Sequence, residues 1–389
     1  MRNISLTKKG AARLSLGMFD FYERDIDESI KSFRPGEWIT VNDSHIGFIN
    51  PFVTSGPCLR IIKNRDFFSN KGPEEILETL IQDCFNHRTQ FSDYKNYRLC
   101  YGDSDNLPGL IADVFENCVL VQINTAGLDQ FRVKITSFIA NLYPEKVVQL
   151  FDNEKYRKNE SLPDFENSFS MDVHVIENNF KYKISNQTIQ KVGYYFDHRE
   201  NRSKLEGFLQ RVDPLTRGLD LFCYTGSWGL HMLRGGVKKV DFIDQADMSK
   251  NIDYVLSENS FDDRGSFTRR DVFSYLDLCI QNQERFDIIV NDPPAFSKSE
   301  KNRHKAIGGY EKLHHKALQL INKKGFYVAA SCTHGVSLED LDSSVLKAAR
   351  RLNKKVVMLD LGAQGFDHPF TSFESKSFYI KYLLYQVYE

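Results

Sequence analysis

The stretch from Arg217 to Asp244, RGLDLFCYTGSWGLHMLRGGVKKVDFID, decides the fold. It runs from an apolar segment into a glycine-bearing turn, then an amphipathic segment, then a second apolar run ending in an acid. That is the β-turn-α-β unit of a parallel sheet. The alternation continues downstream through GSFTR (265–269), FDIIVN (286–291), GFYVAAS (325–331), KVVMLDL (355–361) and SFYIKYLLYQ (377–386). Seven strands with five or six intervening helices make a doubly wound α/β domain. Such a domain places its ligand at the carboxyl ends of the strands.

The chemistry-bearing residues stand just after these runs. Asp220 leads into Cys223-Tyr224-Thr225-Gly226, Asp244 ends the second run, Asp271 follows the third, Asp292 the fourth and Cys332 the fifth. The first turn, DLFCYTGSWG, is not the GxGxxG that cradles a pyrophosphate, which disfavours a nicotinamide dehydrogenase. A ligand without phosphates still fits, with Asp244, 24 positions after Asp220, on a ribose diol. S-adenosylmethionine, with its ribose, adenine and charged amino acid, meets that description. The plain alternative is that Asp220 and Asp244 are ordinary strand-end caps.

The fourth run ends in NDPPAFSKS (291–299). Two consecutive prolines fix φ and give up two backbone donors, so they forbid helix and build a rigid turn with its carbonyls held outward. A nucleobase amine could donate to the carbonyls near Asp292 and Pro293 while an exposed Phe296 packs on the base. A simple strand-ending turn remains the alternative.

The rest of the chain sets bounds. At 389 residues two or three domains are expected. No eighteen apolar residues run together and the N-terminus is broken by charges, so neither a membrane span nor a secretory signal is read, and a cytoplasmic protein is expected. Seven cysteines without a CxxC argue against a disulfide framework or a structural zinc site. A net charge of -1 leaves any nucleic-acid partner to local basic patches. One such patch is the run 298–316, with Lys298, Lys301, Arg303 and Lys305 among its six Lys or Arg, or else it is a solvated helix face. Residues 1–68 read as short β segments, and 69–188 as a hairpin-rich α+β module.

DLFCYTG (220–226), VNDPPAFSKS (290–299), GGY (308–310), SCTHG (331–335) and QKVGYYFDHRENR (190–202) together resemble the RlmI/YccW-type class I S-adenosylmethionine-dependent RNA methyltransferases. GDSDNLPGLIAD (102–113) is similar to that family's middle module, and LTKKGAARL (6–14) and FRPGEWITVND (33–43) to its PUA domain. The chain departs at Val192, where the family has Thr, and at GMFDFYE (17–23), where it has a Gly-His-Pro-Trp-like stretch. The resemblance implies a PUA-like RNA-binding domain over 1–68, a central α+β module over 69–188 and a Rossmann-like seven-stranded methyltransferase domain over 189–389. For the cofactor it implies Asp220, Phe222, Tyr224 and Gly226 at the methionine end, Asp244 on the ribose, Asp271 on the adenine, and Phe196, Asp197, Arg199, Asp292 and Pro293 nearby. Pro294, Phe296, Lys298, Lys301 and Arg303 would meet the RNA. It leans towards a homodimer.

The activity implied is methylation of cytosine carbon 5 in RNA, with large-subunit ribosomal RNA as the target. That carbon is not nucleophilic until a thiolate adds to carbon 6. Cys332 matches the family's nucleophile and Asp292 would bond the base, while Cys223 reads as packing. The alternatives are another RNA base with Cys332 as a small buried thiol, or a non-catalytic RNA-binding or ribosome-assembly factor.

Overall fold

Arg217–Leu221 forms β1, the centre of a seven-stranded sheet. With β2 (Lys239–Asp244), β3 (Gly265–Arg269), β4 (Phe286–Asn291), β5 (Ile321–Ser331), β6 (Lys355–Gly362) and β7 (Lys381–Tyr388), the order across the sheet is β3-β2-β1-β4-β5-β7-β6. The computed structural model describes the chain except residues 69–70, 91–93, 166, 168, 187, 190–192, 297–302 and 373–376. Each of the seven apolar runs becomes a strand. The strands up to β5 pair in parallel, as a crossover sheet should. The last strand departs from the parallel expectation: β7 inserts between β5 and β6 and runs antiparallel to both. No helix is described between β6 and β7, so the chain returns along the sheet instead of crossing over it.

The helices are α1 (Arg199–Leu209), α2 (Ser227–Arg234), α3 (Ser249–Glu258), α4 (Val272–Gln281), α5 (Arg303–Gln319) and α6 (Leu338–Arg351). Leu219, Leu221, Ile289, Tyr327 and Leu383 of the strands pack with Leu276, Leu313, Ala317, Leu341 and Val345 of α4, α5 and α6 in one buried core. Each fully buried aliphatic side chain contributes about 1.5–3 kcal/mol to holding these layers. At the head of α6, Ser337 and Asp340 form a reciprocal capping box, which satisfies two otherwise orphaned donors.

The chain divides into two compact units. The sheet just described lies in the second, formed by His174–Ile184, Gly193–Phe366 and Phe370–Glu389. The first contains Met1–Val173, Ser185–Val192 and Asp367–Pro369. It holds a five-stranded sheet, ordered Arg2–Ile4, Glu37–Val41, His45–Ile49, Leu59–Asn64 and Asp20–Phe21, and a four-stranded sheet from Tyr97–Tyr101 to Val147–Leu150. Within that unit the two sheets are tied by buried polar bonds. The Trp38 indole donates to the Gly127 carbonyl at 2.9 Å, and Glu160 takes both Asn50 at 2.9 Å and Arg60 at 2.6 Å.

Candidate active site

The loop after β1 turns on three residues with left-handed backbone: Phe222 (φ 60°), Tyr224 (φ 47°) and Gly226 (φ 77°). For Phe and Tyr this conformation costs on the order of 1–3 kcal/mol each, a strain that clusters at functional loops. The turn lets α2 begin against β2 so closely that a Cβ on Gly229 would lie 2.0 Å from the Phe242 ring. Asp220 sits beneath it, fully buried, and its Oδ2 accepts the Gly229 N–H at 2.8 Å. Its Oδ1 is buried with no hydrogen-bond partner among the described residues. Burial pushes the Asp220 carboxyl well above the usual carboxylate range; the Gly229 N–H opposes this and the charges of Asp292 and Asp244 add to it. An acceptor left over at a strand end fits a cationic or N–H-bearing ligand such as the amino acid end of S-adenosylmethionine.

Asp244 is half-buried at the end of β2 and stiffens the same loop: Oδ2 accepts from Tyr224 N at 3.1 Å, Oδ1 from Ala246 N at 2.8 Å. Its carboxylate still has lone pairs for two hydroxyls. Asp271 is exposed and caps α4 through Ser274 N (2.9 Å) and Ser274 Oγ (3.0 Å). Cys223 is buried, in line with packing.

After β4, Asp292 is held from one side by the Trp228 indole, which donates to Oδ2 at 2.9 Å. On the other side His198 Nε2 stands 3.6 Å from Oδ1. The His198 tautomer follows from Asn201, whose Nδ2 donates to the Ala363 carbonyl (2.9 Å) and faces His198 Nδ1 at 3.1 Å. Nδ1 is thus the acceptor and Nε2 carries the hydrogen towards Asp292. Pro294 is exposed. Phe296, expected to be exposed, is half-buried with its ring on Tyr310, centroids 4.8 Å apart. The Tyr310 hydroxyl in turn bonds Ser331 Oγ (2.8 Å) and Thr333 Oγ1 (2.9 Å), the two neighbours of Cys332. The platform is braced from beneath by the strand end that carries the thiol.

Cys332 follows β5 directly, and its Sγ lies 3.9 Å from the Pro293 carbonyl oxygen in the adjacent turn. It is partly open, whereas the other six cysteines are buried. Burial, and then the charges of Asp292 and Asp197, push its thiol up to about 12, with Lys381 acting the other way. His334 stacks on Tyr379 with centroids 5.1 Å apart.

Upstream, Asp197 accepts the Tyr379 hydroxyl at 2.7 Å. Phe196 and Arg199 are both buried, the guanidinium 4.9 Å from the Phe196 ring and its Nε 3.6 Å from Glu177. Tyr195 is 49% exposed, and its ring meets Tyr224 edge-on at 5.5 Å. Of the basic run, Lys298 and Lys301 lie outside the described residues. Arg303 is engaged bidentately by Asp340 at 2.7 and 2.8 Å, Lys316 by Asp277, and His314 is fully buried against the Tyr327 hydroxyl. Arg303, His304, Lys305 and Lys312 are exposed on α5. The sequence reading passed over Trp228, His198, Tyr195, Tyr310 and Lys381. Trp228, two positions beyond Gly226 on a helix that starts at the site, carried the clearest signal.

No protein-family model matches the chain. Among curated proteins, a Ribosomal RNA large subunit methyltransferase I of Aeromonas salmonicida is 31% identical over 295 residues, 74% of either chain. Another, of Pseudoalteromonas translucida, is 27% identical over 369 residues, 91% of either chain. A solved chain described as a methyltransferase complexed with SAH shares the fold, with a TM-score of 0.79 at 19% identity over 99% of this chain and 100% of the other. Kinship over three quarters of both chains places the protein in the ribosomal RNA large subunit methyltransferase I family.

Proposed function

We propose that the protein methylates carbon 5 of a cytosine in large-subunit ribosomal RNA through a covalent adduct with Cys332. The observation that carries this reading is the part-open Cys332 thiol beside the Pro293 carbonyl, next to a carboxylate fixed by Trp228. S-adenosylmethionine, when bound, supplies an electrophilic methyl group. Asp220, Phe222, Tyr224 and Gly226 would hold its methionine end, Asp244 its ribose and Asp271 its adenine edge, with Phe196, Asp197, Arg199 and Pro293 around them. The protein's own part is to make the base reactive. The Cys332 sulfur bonds to carbon 6 and the ring's electron pair moves to carbon 5, which takes the methyl. The carbon 5 proton then leaves, its electrons re-form the double bond, and the carbon–sulfur bond breaks to return the thiolate. Asp292 bonds ring nitrogen 3 or the exocyclic amine and steadies the charge that builds there.

A second reading, methylation of another base with Cys332 structural, is favoured by one observation: burial pushes this thiol up to about 12, far above a reactive cysteine. Cys332→Ala decides between them. Loss of methylation, together with trapping of the wild type but not the variant on RNA carrying 5-fluorocytosine, is the expected outcome. Fluorine cannot leave as the proton does, so the adduct survives denaturation. A variant that methylates at a comparable rate would make the thiol packing.

We further propose that 1–68 is a PUA-like RNA-binding module, followed by modules 69–188 and 189–389. RNA contacts by Pro294, Phe296, Lys298, Lys301 and Arg303, a cytoplasmic location and a homodimer belong to the same reading. No described helix is long and apolar enough to cross a membrane.

A further inference from the structure

Lys381 opens β7, and the antiparallel register sets it opposite Ser331, the residue before Cys332. Only 1% of it is exposed. Its ammonium donates to the Thr333 carbonyl at 2.9 Å and the Tyr379 carbonyl at 3.0 Å, which uses two of its three N–H groups. None of the ion pairs among the described residues includes it. A buried lysine without a carboxylate partner costs stability, and such groups collect at functional sites. The groups that act on it electrostatically are Cys332 and Asp340. The charges of Asp292 and Asp197 act on the Cys332 thiol and the Lys381 ammonium opposes them, while the Tyr310 hydroxyl bonds the side chains of its two neighbours, Ser331 and Thr333.

We propose that Lys381 is a positioning residue that acts through Cys332: its ammonium is the counter-charge that lets the thiol ionise between two carboxylates. The carbonyls of Thr333 and Tyr379 hold it in place. The inference rests on Cys332 being the nucleophile, and its test is chosen to separate the two.

The full chain, without RNA or cofactor, is treated with iodoacetamide, and alkylation of Cys332 is followed by peptide mass spectrometry in wild type, Lys381→Met and Lys381→Arg. Only the thiolate reacts, and an opposite charge close by shifts a pKa by about one to three units. Lys381→Met should therefore be alkylated about ten-fold or more slowly at pH 7, and Lys381→Arg should recover most of the rate. The pH profile carries a second signature. Burial pulls the Lys381 ammonium down to about 8, so its charge assists the thiolate below that pH and is lost above it. Wild-type alkylation should rise about ten-fold per unit up to pH 8 and less steeply beyond; in Lys381→Met it should keep the full slope throughout. A merely structural lysine would change neither rate nor slope. Methionine removes a costly buried charge but also the N–H groups on the Thr333 and Tyr379 carbonyls, so the melting of both variants is measured to show that the alkylated protein is folded. Equal rates and equal slopes, with Cys332→Ala inactive, would overturn the role of Lys381 alone. Continued methylation by Cys332→Ala would overturn the nucleophile reading and this role with it.

Discussion

The two halves of the seven-stranded sheet carry different chemistry at the same edge. On the β1–β2–β3 side the polar groups are carboxylates, and each is partly spent on backbone N–H groups: Asp220 on Gly229, Asp244 on Tyr224 and Ala246, Asp271 on Ser274. On the β4–β5–β7 side they are a carboxylate, a thiol and a lysine, bonded to side chains and carbonyls: Asp292 to Trp228, Lys381 to Thr333 and Tyr379. A half built on backbone donors is rigid and suits an invariant ligand that must be gripped. A half built on side chains can change charge during a reaction. In the proposed reading, one edge separates holding the methyl donor from activating the acceptor.

The largest effect should come from breaking the holding half. Asp244→Ala removes a carboxylate placed for two ribose hydroxyls, whose charge-assisted bonds are worth about 1.5–3 kcal/mol each. The expected result is a ten-fold or greater loss of S-adenosylmethionine affinity by calorimetry, with Cys332 alkylation unchanged. Unchanged affinity would place the cofactor elsewhere.

Trp228 sharpens the comparison because it belongs to one half and serves the other. It stands on α2, behind the cofactor loop, yet its indole donates to Asp292. Trp228→Phe keeps most of the ring, which stacks on Tyr382 at 5.8 Å, and removes the N–H. Losing a hydrogen bond to a carboxylate costs about 1.5–3 kcal/mol. Methylation should fall on the order of ten-fold or more while S-adenosylmethionine affinity stays within about two-fold. Equal losses in both would mean the halves are not separable.

What could be read in the sequence follows the same division. The holding half is local: each acid stands at or next to the end of its own strand, so the positions of Asp220, Asp244 and Asp271 could be read from the strand pattern alone. The activating half depends on topology. Lys381 lies within a run that reads as any strand, and only the insertion of β7 between β5 and β6 brings it beside Cys332. His198 likewise meets Asp292 across 94 residues of chain, through a tautomer set by Asn201. The basic run was legible only as composition. Composition counts charges but not their partners, and Asp340 takes Arg303 while Tyr327 takes His314.

That last point leaves the smallest effect. On α5 Lys305 and Lys312 are exposed, while Arg303, also exposed, braces the capping box of α6 through Asp340. A lysine that neutralises one phosphate contributes about 0.9 to the log–log salt slope on duplex, or about 0.7 on a single strand. Lys305→Ala should therefore flatten the salt dependence of RNA binding by no more than one such increment and leave the cofactor affinity alone. Arg303→Ala should act differently. Loss of an exposed pair costs about 0.2–1 kcal/mol, so it should lower the melting temperature slightly besides flattening the salt slope by one such increment. An unchanged slope in Arg303→Ala would mean that the guanidinium stays on Asp340 in the complex and would remove it from the proposed RNA contacts.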